Sequence, residues 1–125
     1  MNESIVRLSV PAEASFARSV RMLAANLAVC CDMSVDDVED IRMAAEEGFV
    51  YACATRPDTC DISFSLTGEE ISMAFSLGPV IPEETDDQSL DLVELLLSAV
   101  SDDFGVSEDG SELAIRMKAG NQHDR

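Results

Sequence analysis

The chain is expected to fold as an α+β protein: a two-layer sandwich whose mostly antiparallel sheet is covered on one face by three helices, in the order β-α-α-β-β-loop-α-β-β. Three observations predict this. The spacing of apolar residues follows a helical period from Phe16 to Ala52 and switches to a period of two at Cys60. The helical stretches are grouped instead of alternating singly with strands, which disfavours a doubly wound parallel sheet. Of the 125 residues 46% are hydrophobic, enough for one core in a single domain spanning residues 1–125.

Val6, Leu8 and Val10 alternate with Ile5, Arg7 and Ser9, which predicts a first strand with one buried face. Pro11 is expected to open the first helix, where a missing amide donor costs nothing. Phe16, Val20, Leu23, Leu27 and Cys30 or Cys31 follow at helical steps as its core stripe, with Arg18 and Arg21 pointing elsewhere.

The organising helix is predicted from Ser34 to Arg56. Ser34 with Asp37 three residues on is a start signal: the hydroxyl accepts from a free amide and the carboxylate complements the dipole. Val38, Ile41, Ala45, Gly48 or Phe49, and Ala52 share one face, while Asp40, Ala44, Glu47 and Tyr51 share a second. Pro57 ends the helix, since the residue before a proline is pushed out of the helical region.

Ile62, Phe64 and Leu66, a turn at Thr67-Gly68-Glu69-Glu70, then Ile71, Met73, Phe75 and Leu77 predict a hairpin. Gly78 to Ser89 holds two prolines and four carboxylates and is expected to be loop. Leu90 to Val100 is a short apolar helix, and Phe104–Ser107 with Leu113–Met117 close the fold as a second hairpin around Glu108-Asp109-Gly110.

Eight basic against 25 acidic residues give a formal charge of −17. That balance argues against nucleic acid, where phosphate contacts supply much of the affinity, and equally against anionic membrane surfaces. It suits a basic protein partner, although acidity also simply keeps a small protein in solution. No stretch approaches a membrane span, and Met1-Asn2-Glu3-Ser4 lacks the basic and apolar regions of a signal peptide, so a cytoplasmic location is expected. Cys30, Cys31, Cys53 and Cys60 fit no zinc spacing and the one histidine is His123, so no metal site is expected and the thiols are expected reduced.

Ala44-Ala45-Glu46-Glu47-Gly48-Phe49-Val50-Tyr51-Ala52 resembles the second-helix motif of the histidine-kinase-like ATPase superfamily, nearest to its small anti-sigma-factor serine kinases. That motif runs A-x-x-E-x-x-x-N-A. The resemblance implies that Glu47 stands where the family's general base stands, and Tyr51 where its Mg²⁺-holding asparagine stands. A phenol is a poor ligand for Mg²⁺, which wants compact oxygens in octahedral array.

The family's D-x-G-x-G corresponds to Ser76-Leu77-Gly78-Pro79-Val80, leaving a hydroxyl for the adenine-binding carboxylate and only the first glycine. Its phosphate-cradling G-x-G-L corresponds to Ser89-Leu90-Asp91-Leu92, where both glycines are gone and Asp91 repels phosphate. Glu83, Glu84, Asp86 and Asp87 lie where the family's lid closes, and no Lys or Arg occurs between Arg56 and Arg116. Like charges at ~6 Å cost on the order of 1 kcal/mol each even in water. Several such terms offset much of the ~8 kcal/mol that micromolar binding supplies.

Tyr51, Ser76, Gly78, Ser89 and Asp91 are therefore expected as positions of a degenerate nucleotide site. The eroded motifs, the acidic lid and the −17 charge point to a regulatory module without cofactor; the resemblance implies that it docks a sigma factor or a STAS-type anti-anti-sigma protein, with Arg18 and Arg21 on the first helix as interface candidates and a homodimer left open. The alternative is an active Mg·ATP-dependent serine/threonine kinase, with Glu47 as base and with ATP and Mg²⁺ as cofactors. A domain with no ligand at all is the third reading. Glu46 on its own is expected to belong to a solvated helix face, since adjacent helical carboxylates point about 100° apart.

Overall fold

A computed structural model describes residues 3–81 and 90–119, with Leu90 described by its backbone alone. The elements are β1 (Ser4–Pro11), a 3-10 turn (Ala14–Phe16), α1 (Ala17–Cys30), α2 (Val35–Ala54), β2 (Thr59–Leu66), β3 (Glu70–Ser76), α3 (Leu90–Val100), β4 (Asp103–Val106) and β5 (Glu112–Lys118). The five strands form one sheet in the order β1-β2-β3-β5-β4, and every neighbouring pair is antiparallel. This is the expected α+β sandwich, with the sheet more uniformly antiparallel than the element order alone required.

Period-two alternation sorts the side chains. Cys60, Ile62 and Phe64 on β2, Ile71, Met73 and Phe75 on β3, and Leu113, Ile115 and Met117 on β5 are buried beneath the helices. Their neighbours on the open face are small or polar: Ser63, Ser65, Ser72, Ala74 and Ala114. One helical layer therefore suffices. α2 packs over β2, β3 and β5, α3 reaches β4, and α1 lies against α2.

Ile41, Ala45, Gly48, Phe49 and Ala52 form the buried stripe of α2, and Val38 is half-buried. Its start is the predicted one, with the Asp37 amide donating to Ser34 Oγ at 3.1 Å. Gly48 has a packing reason: a Cβ there would stand 2.6 Å from the Phe75 ring, so the helix can lie this close to the sheet only with no side chain.

Two expectations shift. Pro11 ends β1 instead of opening α1; at the end of an edge strand its missing donor is equally harmless. Phe16 is not in the core. It belongs to the 3-10 turn, whose tighter winding breaks phase with α1, and is 36% exposed. The core stripe of α1 is instead Val20, Ala24, Leu27 and Ala28, with Leu23 half-buried.

After α2 the chain turns through Arg56, a non-glycine residue at φ 59°. No helix among the described residues is long and apolar enough to cross a membrane.

Candidate functional site

The second face of α2 lies against α3. Asp40 lines a small cavity with Val100 and Asp102, and at the other end the Tyr51 phenol senses the Glu94 carboxylate. The two helices therefore run antiparallel, with Ala44 and Glu47 between those contacts. Ala44 is fully buried and Tyr51 is 5% exposed, whereas Glu47 is half-buried. This seam is the candidate site.

Burial pushes the Glu47 carboxyl above its ordinary range, and the neighbouring Glu46 charge adds to the effect. Burial likewise raises the Tyr51 phenol, with Glu94 contributing. Glu46 has a separate employment. It accepts from Arg21 Nη1 at 2.8 Å, tying α2 to α1, so the two adjacent glutamates serve opposite flanks of the helix. Arg21, an interface candidate by sequence, is thus held in an ion pair, while Arg18 is exposed.

Gly78 sits at the C-terminal end of α2. Its amide donates to Thr55 Oγ1 at 2.7 Å, and that hydroxyl donates in turn to the Ala52 carbonyl at 2.6 Å. The Val80 amide donates to the Thr55 carbonyl at 2.9 Å. A Cβ on Gly78 would fall 2.3 Å from Pro57 N and 2.4 Å from Thr55 O, backbone atoms that cannot step aside. The strand that leaves the sheet is in this way clasped to the end of the organising helix. Nothing in the sequence pattern signalled Thr55, which is 3% exposed and pairs with a residue 23 positions away.

Ser76 lies on the other face of β3 from Phe75. Its hydroxyl accepts from the Asp61 amide at 2.8 Å and is not brought to Glu47 or Tyr51. Asp91 is exposed in the first turn of α3, where a carboxylate suits the dipole. Ser89, Glu83, Glu84, Asp86 and Asp87 lie outside the described residues. The structure therefore brings Glu47 and Tyr51 together on one seam, sets Gly78 at the C-terminal end of their helix, and leaves Ser76 on the open side of the sheet.

Among the described residues no group of three or more His, Cys, Asp or Glu side chains could hold a metal ion. The four cysteines are free thiols. Burial raises Cys53 to about 11 and Cys60 to about 12, so neither is a nucleophile at neutral pH.

No family model matches the chain, and no curated relative matches it. Among solved structures it is similar to the RsbU and RsbW domains of Rv1364c from Mycobacterium tuberculosis, with a TM-score of 0.64 and 15% identity. The match covers 93% of this chain and 32% of that one, so the chain spans about a third of its length. At that identity the likeness is one of fold. It carries no residue roles with it.

Proposed function

We propose that the chain is a regulatory protein-binding module of the anti-sigma type, built on a histidine-kinase-like ATPase fold and working by partner switching in the cytoplasm without nucleotide chemistry. Its partner is a sigma factor or a STAS-type anti-anti-sigma protein, and the exposed side of α1 around Arg18 is the docking surface this reading favours. The observation that carries it is Tyr51. At the position where the resembled family holds Mg²⁺ through an asparagine, this chain buries an aromatic ring in the seam between α2 and α3. A ring packed there leaves only a high-pKa phenol in place of a metal ligand. Asp91 at the start of α3 adds a negative charge where phosphate would need bare amides.

The kinase reading keeps one specific support. Glu47 is a partly desolvated carboxyl with a raised pKa, which is how general bases are tuned toward neutral pH. Residues Glu47 and Gly78 would then face ATP, with Mg²⁺ held by groups other than Tyr51.

Isothermal titration with Mg·ATP and with ADP separates the two. The module predicts no heat at millimolar nucleotide; a micromolar constant overturns it and favours the kinase. Capture of purified sigma factors and STAS-type proteins on the immobilised chain then tests the partner class, and absence of binding to either leaves a domain without this role.

A further inference from the structure

The flank formed by β1 differs from the rest of the molecule in charge and in backbone chemistry. Within Ser4–Cys30 lie three of the chain's eight basic residues, Arg7, Arg18 and Arg21, and one of its 25 acidic residues, Glu13. Arg7 and Arg18 have no ion pair among the described residues. On a chain of formal charge −17 this stretch reverses the sign along the sequence; Arg21 is paired with Glu46, and on β1 itself Ser9 donates to Asp61 of the neighbouring strand at 2.7 Å, which leaves Arg7 as the charged side chain of the edge.

Among the described residues β1 is also an edge strand, paired on one side only, in unbroken register with β2 from Ser4↔Leu66 to Pro11↔Thr59. Eight residues give a row about 26 Å long of alternate N–H and C=O groups turned away from the sheet. Sheet edges are ordinarily blunted by shortness, bulges, prolines or charges. The opposite edge follows that rule: β4 has four residues and includes Asp103 and Gly105. β1 is twice that length, has no bulge and no proline before its last residue, and carries a single charge, Arg7.

Its side chains specify what would fit beside it. Val6 and Leu8 are half-buried on the helix side, so apolar residues added next to them would extend the core. Arg7 and Ile5 stand on the open side, Ile5 50% exposed, where a carboxylate and an apolar stem would be met.

We propose that β1 takes up an extended segment of a partner protein as a sixth strand, and that this segment alternates apolar and acidic residues. Main-chain bonds along the edge supply affinity, and the alternation supplies selectivity. The proposal is independent of the nucleotide question and of the sigma-factor reading.

The probe is a fluorescein-labelled peptide of about eight residues alternating valine and glutamate, long enough to cover β1. Fluorescence anisotropy is expected to show saturable binding, and amide hydrogen exchange of Ser4–Val10 is expected to slow. Arg7→Glu, at an exposed position that leaves the core intact, is expected to weaken binding roughly tenfold or more, and added salt to weaken it as well. Methylating alternate peptide amides should abolish binding, and Asp103→Asn on the far edge should not affect it. Failure to saturate at millimolar peptide overturns the proposal, as does equal binding of a valine–lysine peptide. Slow exchange of β1 without peptide, together with a dimer mass in sedimentation, also overturns it by giving the edge to a second copy.

Discussion

The amide of Gly78 donates to Thr55 Oγ1 at 2.7 Å, and this bond joins the exit of β3 to the last turn of α2. Thr55 is buried, so a group that cannot accept leaves the amide without a partner. Thr55→Val is expected to cost about 1–3 kcal/mol in urea unfolding, while Thr55→Ser, which keeps the oxygen, should cost under about 1 kcal/mol. A loss in Thr55→Ser larger than that in Thr55→Val would show that the methyl packing matters and the bond does not.

Gly78→Ala places a Cβ against three backbone atoms of the Thr55–Pro57 segment. It is expected to destabilise by more than Thr55→Val, because the clasp must open instead of losing one bond. Hydrogen exchange at Val80, whose amide donates to the Thr55 carbonyl, should rise in Gly78→Ala.

Glu47 sets a pH dependence with a definite sign. Its folded pKa is raised above the ordinary value of 4.5, so between those two values the folded state binds more protons than the unfolded one. Stability from this group is therefore present at low pH and falls as pH rises through the raised pKa. Glu47→Gln removes the penalty. Its Tm should exceed that of the parent at pH 7, and the gap should close below pH ~4; a gap that stays constant with pH would refute the assignment.

Arg21 and Glu46 are each about a third exposed, and their 2.8 Å contact bridges α1 and α2. Such pairs contribute about 0.2–1 kcal/mol. Arg21→Ala should lose no more than that, and the loss should shrink in high salt. A larger, salt-independent loss would mean that the aliphatic stem, not the charge, holds the helices together.

Thiol reactivity should follow burial. Cys30 is exposed and is expected to react promptly with a disulfide reagent at pH 8, whereas Cys60, fully buried and raised to about 12, should react only as the protein unfolds. Fast labelling of Cys60 in the native protein would contradict its placement.

The parts legible in the sequence are those where period and polarity agree. Leu90–Val100 falls on α3 residue for residue, and the alternation from Ile62 to Phe75 predicts the central hairpin. The errors have local causes. Proline is tolerated both at a helix start and at an edge-strand end, so Pro11 could be assigned to either. Ala24 and Ala28 weigh little in an apolar pattern, yet their small size lets α1 approach α2. The seam holding Glu47 and Tyr51 was visible as a helical face because four residues recur at steps of three and four. The Thr55–Gly78 clasp was not, since no periodicity links a threonine to an amide in another segment. The same holds for Arg21–Glu46, a pairing that depends on which way α1 lies across α2.

Ser4 finds its sheet partner at Leu66, with two helices synthesised in between. A growing chain must therefore carry an unmatched strand until β2 has left the ribosome, and only then can the first edge of the sheet close. Such long-range pairing sets a slow clock for the whole domain, because the entropy of closing the intervening loop is spent before any of the ladder is gained.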